Sequence, residues 1–216
     1  MLFKDRQEAG QLLAEKLKPY ADRPDVTVLA LPRGGVPVAF EVAKALKAPL
    51  DVLVVRKLGV PNHAELAMGA IAPGGVRILN QQIVQEEHIT DDAIARIAIQ
   101  EERELERREY LYRQNRPFPQ LRGQTVILID DGLATGATMW AAVVAVRQQQ
   151  PAHIIIGVPV ASPETCQQLA AAVDEIICIH QPKSFYSVGL WYEDFPQTSD
   201  RQVQDLLHQI EPVIVH

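Results

Sequence analysis

Val126-Ile127-Leu128-Ile129-Asp130-Asp131-Gly132-Leu133-Ala134-Thr135-Gly136-Ala137-Thr138-Met139 carries more information than any other stretch of this chain. Four aliphatic residues bounded by turn formers predict a buried strand, and Ala141, Val144 and Ala145 then recur at helical spacing. The two acids and the small-residue turn therefore fall at the carboxyl end of a strand, where open α/β sheets bind ligands. Thr135, Gly136, Ala137 and Thr138 allow backbone N–H groups and hydroxyls to close around a phosphate at a helix N-terminus. Asp130 and Asp131 are placed to hydrogen-bond sugar hydroxyls, so the stretch reads as a ribose-phosphate site. The competing reading is a strand that ends in a solvated Asp-Asp-Gly turn. A P-loop is excluded, because no Gly-x-x-x-x-Gly-Lys-Ser/Thr occurs.

Working outward, the flanking sequence alternates. Strands are predicted over Val26 to Leu31, Leu50 to Val55, Val126 to Ile129, Ile154 to Val158 and Glu175 to Ile179. Helices are predicted over Val36 to Leu46, Gly136 to Gln149 and Pro163 to Ala172, after an amphipathic helix from Asp5 to Lys18 closed by Pro19. This rhythm implies one α/β domain over residues 1–216, a doubly wound, mainly parallel sheet flanked by helices. A composition of 47% hydrophobic and 22% charged residues suits one such core. A net charge of −6 argues against a protein that coats nucleic acid, which needs a basic face. Cys166 and Cys178 lack metal-type spacing, and neither a secretory leader nor a membrane span is seen, so a reduced cytoplasm is the expected location.

An anionic substrate then requires local positive charge. Leu31-Pro32-Arg33-Gly34-Gly35-Val36 follows the first core strand and opens a helix, so Gly34 and Gly35 permit close backbone approach and Arg33 adds a forked donor. Arg56 and Lys57 follow the second strand, either as further cations for the site or as a solvated rim.

Two segments interrupt the alternation. In residues 56–120, Ala67 to Ala72 and Val76 to Leu79 flank Pro73-Gly74-Gly75 as a hairpin, and Thr90 starts a long charged helix towards Arg113. Its Glu104–Arg108 and Glu109–Arg113 pairs suit a solvated helix that braces the hairpin, or a dimer contact. In residues 181–200, five of the chain's twelve aromatic residues cluster: Phe185, Tyr186, Trp191, Tyr192 and Phe195. They form either a stacking wall for a planar base or a small satellite core. Ser199 and Gln202 make a capping box for a closing helix with Val203, Leu206, Leu207 and Ile210 on its apolar face.

The hydrophobic strand, paired acids and Thr-Gly-x-Thr of Val126 to Thr138 closely resemble the signature with which type I phosphoribosyltransferases bind 5-phosphoribosyl 1-diphosphate (PRPP). The resemblance covers about Val26 to Ile179, and the whole looks most like the uncharacterised phosphoribosyltransferases of bacteria. It implies that Asp130 and Asp131 face the ribose hydroxyls, and that Leu133, Ala134, Thr135, Gly136, Ala137 and Thr138 wrap the 5-phosphate. The Arg33-Gly34-Gly35 turn resembles the family's diphosphate loop, and Arg56-Lys57 its basic pair. Mg²⁺ is implied as cofactor, with Asp130 and Asp131 as its carboxylates. Residues 181–200 resemble the hood over the base, which makes Val188, Asp194, Trp191 and Lys183 base-contact candidates.

The chain departs from the hypoxanthine-guanine enzymes at Ala134, where they carry an aspartate before Thr-Gly. Adenine enzymes have alanine there and draw a glutamate from a loop, a role open to Glu65 in Val60-Pro61-Asn62-His63-Ala64-Glu65; an exposed hairpin glutamate is the plainer reading. The histidines show no mutual spacing for metal or triad chemistry. The resemblance implies transfer of a phosphoribosyl group from PRPP to a nitrogenous, purine-like base, with a homodimer as family habit and neither nucleic acid nor membrane as partner. The alternative is a regulator that binds PRPP or a nucleotide without turning it over.

Overall fold

The structure, a computed structural model, describes residues 2–114 and 116–210, without the side chains of Ala64 and Glu65. In chain order the elements are α1 (Arg6–Leu17), β1 (Val26–Ala30), α2 (Gly35–Leu46), β2 (Leu50–Val52), β3 (Arg56–Val60), β4 (His63–Ala72), β5 (Val76–Leu79) and α3 (Gln81–Glu86). Then follow α4 (Asp91–Arg113), β6 (Thr125–Ile129), α5 (Ala137–Gln148), β7 (His153–Val160), α6 (Pro163–Ala170), β8 (Glu175–His180) and α7 (Asp200–Gln209).

Five strands form a parallel sheet in the order β2-β1-β6-β7-β8. Its central strands are apolar at consecutive positions because both faces are covered. In β6 the pleat sends Ile127 and Ile129 to a core shared with α1, α2 and α7, while Val126 and Leu128 join Met139, Val143 and Val146 of α5 and Leu169 of α6. The expected doubly wound sheet is therefore present. The strand order reverses between β1 and β6, whose register pairs Ala30 with Ile129. The turn after β1 and the acids after β6 are thus neighbours at the switch point, where such sheets bind ligands.

Residues 56–120 hold more than a hairpin and a helix. A second, antiparallel sheet of order β3-β4-β5 packs against α4 and α5. The expected strand over Leu50 to Val55 is correspondingly shorter. Its ladder with β1 ends at Val52, and Leu53 and Val54 are buried in opposite cores. Arg56 and Lys57 pair with Ile71 and Ala70, so they open the second sheet instead of closing a strand of the first.

Helix α4 is capped by Thr90, whose side chain accepts from the Ala93 N–H. It is not purely a solvated brace, since it buries Ile94, Ala98, Leu105 and Tyr112. Arg113 at its end is also buried, with Nη2 donating to the Val52 carbonyl at 2.8 Å and Nη1 paired with Glu109 at 2.8 Å. Among the described residues no helix is long and apolar enough to cross a membrane.

Candidate active site

Helix α2 and helix α5 both begin at the switch point. Gly34 is the N-cap of α2 and Gly136 the N-cap of α5, and neither provides a side-chain hydrogen bond to the first turn. In α2 the Gly35 N–H donates to the Leu31 carbonyl and the Val36 N–H to the Arg33 carbonyl, so of the two helix starts that converge on the carboxyl edge of β1 and β6 the α5 start is the one suited to an anion.

Gly136 has a φ of +73°, and a Cβ there would lie 2.5 Å from Thr165 Cγ2. Both the left-handed backbone and the crowding by α6 demand glycine. Thr165 in turn donates to the Ala134 carbonyl, while Leu133 bridges to Ala161 and donates its N–H to the Val160 carbonyl. The turn from Leu133 to Thr138 is thus fastened at its start by β7 and α6, with Ala134 and Thr135 left exposed.

Asp130 and Asp131 follow β6 directly. Asp130 Oδ1 accepts the Asp131 N–H at 2.8 Å. Burial pushes the Asp130 carboxyl well above the ordinary carboxylate range, and the neighbouring Asp131 charge adds to the effect. Burial also raises Asp131, against the opposing pull of a guanidinium: Arg6 Nε lies 2.8 Å from Asp131 Oδ2. A Cβ on Gly34 would lie 2.0 Å from that same Oδ2, and one on Gly35 2.7 Å from the Ile129 carbonyl oxygen. The post-β1 turn is therefore pressed against the acid pair at a distance that only glycine allows.

The other expected residues are more dispersed. Arg33 is half-buried, with Nη1 3.9 Å from Asp200 Oδ1; Asp200, the first residue of α7, also accepts from the Tyr112 hydroxyl at 2.5 Å. Arg56 pairs with Glu101 of α4 at 2.5 Å. Lys57 is half-buried in β3. Val188 reaches the site, since a Cβ on Gly132 would meet its Cγ1 at 2.6 Å. Asp194 and Lys183 are exposed, and the Glu65 side chain lies outside the described residues.

The aromatic cluster is mainly a satellite core. Tyr192 is buried with Phe3, Ala9 and Val160, and Phe185, Val188, Trp191 and Phe195 pack around them, whereas Tyr186 is exposed. Trp191 keeps its indole Nε1 buried without a hydrogen-bond partner among the described residues. Tyr192 also touches the acid pair, its hydroxyl donating to the Asp131 carbonyl at 2.6 Å.

Sequence reasoning misses Arg6, Tyr192 as a donor, and the Asp200 contact to Arg33. For Arg6 a signal exists. It precedes Ala9 by three positions and Leu13 by seven, so it occupies the buried stripe of α1, where a charge needs a partner. Among the described residues no cluster of three or more His, Cys, Asp or Glu side chains forms a metal cage.

Known proteins resemble this chain in sequence and fold. Residues 4–190 match a family model described as the phosphoribosyl transferase domain. A Mycobacterium tuberculosis protein that carries the phosphoribosyl transferase name provisionally is 46% identical over 204 residues, 94% of this chain and 45% of that protein. The chain thus spans under half the length of this relative. The crystal structure of TT1426 from Thermus thermophilus has a TM-score of 0.82 at 41% identity, covering 97% of this chain and 99% of that one. The Aquifex aeolicus protein AQ2163, at 14% identity and a TM-score of 0.54 over 96% of this chain and 86% of that one, shares the fold.

Proposed function

The chain belongs to the phosphoribosyl transferase domain family, and from that premise we propose that it transfers the 5-phosphoribosyl group of PRPP to a purine-like nitrogenous base with release of diphosphate. The observation that carries this reading is the convergence at one switch point of the acid pair, the start of α5 without a side-chain cap, and a glycine turn pressed against a carboxylate. Each part matches a part of the substrate. The α5 start and the turn from Leu133 to Thr138 receive the 5-phosphate, Asp130 and Asp131 the ribose hydroxyls, and Gly34 and Gly35 with Arg33 the diphosphate. Val188, against Gly132, stands on the side where the base would lie.

The site fits Mg²⁺, which keeps several waters and binds through one or two carboxylates and substrate phosphates. Asp130 and Asp131 supply hard oxygen donors without a dedicated cage, and a bound ion would neutralise charge on the diphosphate. The chain's own contribution is positional. Displacement at an anomeric carbon passes through an oxocarbenium-like state and needs no protein nucleophile. Holding the ribose by its hydroxyls fixes the anomeric carbon between the leaving diphosphate and the incoming nitrogen. Arg33 stabilises charge that grows on the departing group. Ala134 provides no proton acceptor beside the base, so Glu65 is the proposed acid–base residue.

Isothermal titration with PRPP in the presence of Mg²⁺ tests the substrate assignment. Saturable binding that Asp130→Asn and Asp131→Asn each weaken at least about tenfold supports it. Binding unchanged in both variants contradicts it.

A further inference from the structure

We propose that Arg6 is a positioning residue for the ribose subsite, holding the Asp131 carboxylate against the diphosphate turn and tying it to the hood. This rests on the reading that Asp131 grips the PRPP ribose.

Arg6 lies in the first turn of α1, and its side chain is only 10% exposed. Burial of a guanidinium is costly unless every part of it is used. Here two of its nitrogens and its flat face are engaged. Nε contacts Asp131 Oδ2 at 2.8 Å, Nη1 donates to the Pro196 carbonyl at 2.7 Å, and the guanidinium carbon stands 3.7 Å from the centre of the Phe195 ring. The planar fork therefore joins an acid of the candidate site to two consecutive hood residues, a combination a flexible ammonium cannot reproduce.

What Arg6 holds matters as much as how tightly. An aspartate at a strand end is free to rotate, and in one rotamer it meets the space that a Cβ on Gly34 would fill. The Arg6 contact selects that rotamer. The same α1 entry is itself joined to the hood: Phe3 N–H donates to the Trp191 carbonyl, and the Glu193 and Asp194 N–H groups donate to the Phe3 and Lys4 carbonyls. Tyr192 completes the loop by donating to the Asp131 carbonyl. The N-terminal segment, the hood and Asp131 thus form one connected unit, which meets the diphosphate turn at the carboxylate.

This arrangement separates two ligands. PRPP uses the ribose acids, whereas inorganic diphosphate uses the turn at Gly34 and Gly35. The full chain and its Arg6→Gln and Arg6→Lys variants are titrated with PRPP in the presence of Mg²⁺ and with inorganic diphosphate in its absence, so that diphosphate binding does not run through an ion at Asp131, after thermal melts show cooperative folding. The expected result is that Arg6→Gln weakens PRPP roughly ten- to a hundredfold, as for a lost charge-assisted hydrogen bond, and moves diphosphate by less than about threefold. Arg6→Lys falls between wild type and Arg6→Gln for PRPP. Equal weakening of both ligands, or unchanged PRPP affinity, overturns the proposal. If Arg6→Gln does not melt cooperatively, the same comparison is made with Arg6→Lys. Wild-type protein that binds diphosphate and not PRPP removes the substrate assignment itself, a result distinct from failure of the Arg6 role.

Discussion

Replacing Gly34 by alanine separates the stability of the acid pair from its use. Gly34 has φ −62° and ψ −33°, so alanine suits the backbone and on that account stabilises by about 0.4–1 kcal/mol. Its Cβ, however, would lie 2.0 Å from Asp131 Oδ2 and 2.7 Å from Cγ. Because these are side-chain atoms, the carboxylate can swing away, but it then leaves Arg6. With the two side chains only 10% and 15% exposed, the lost charge-assisted bond costs about 1.5–3 kcal/mol. The net loss is about 0.5–2.6 kcal/mol, a fall in Tm of roughly 1–10 °C for a chain of this size. PRPP affinity falls by more than about tenfold, since the acid no longer faces the ribose. Gly35→Ala contrasts with this. Its Cβ would meet the Ile129 carbonyl oxygen at 2.7 Å and Asp130 Cα at 2.9 Å, which are backbone atoms and cannot rotate aside. The strain is then at the upper end of overpacking costs, about 3 kcal/mol, and the larger fall in Tm belongs to Gly35→Ala. Calorimetric melts and PRPP titration of both variants decide the matter. A Gly34→Ala protein with wild-type Tm and wild-type affinity would refute the placement of the carboxylate against this turn.

Thr165→Val removes the donor to the Ala134 carbonyl. It is expected to cost about 1 kcal/mol in a melt and to weaken PRPP several-fold by loosening the phosphate turn. Asp130→Asn is expected to raise the Tm of the ligand-free protein at pH 7 while lowering PRPP affinity. Burial lifts the native Asp130 pKa above its ordinary value of 3.8, so between the two values the folded state holds the proton that the unfolded chain has released. Wild-type stability from this group therefore falls as pH rises through that window, and a pH series of melts should show the slope flattened in Asp130→Asn. Glu104 behaves oppositely. Hydrogen bonds from Arg107 and Arg108 hold its pKa at about 2, so its contribution is present above 4.5 and is lost as pH falls towards 2. Glu104 is partly exposed, and Glu104→Gln should cost under about 1 kcal/mol at pH 7 and nothing near pH 2, measured by urea unfolding.

The placing of the acids and of the turn after them at a sheet edge is legible in the sequence because their signals are local. A strand, two acids and a helix start occupy fourteen consecutive positions, and their order alone places them at a sheet edge. Arg6 is separated from Asp131 by 125 positions, and only the interruption of the α1 apolar stripe marks it. Strand β3 escapes such reading because its pairing with β4 shifts register between Leu58 and Gly59 and again before Val60, which blurs the alternation that identifies a strand. Leu53 and Val54 read as a continuation of β2 because burial without a ladder looks identical in sequence to burial within one. The hood aromatics are ambiguous for a similar reason. A ring that stacks on a base and a ring that packs in a core have the same composition, and the bridge between Phe3 and Tyr192 turns most of them inward.

Release of diphosphate from PRPP and Mg²⁺, followed across a panel of purines, pyrimidines and other nitrogenous bases, tests phosphoribosyl transfer most directly. The expected result is release that requires one purine-like base and is lost in the Asp130→Asn/Asp131→Asn double variant. Tight PRPP binding with no release against any base would contradict transfer and assign the site to a regulator.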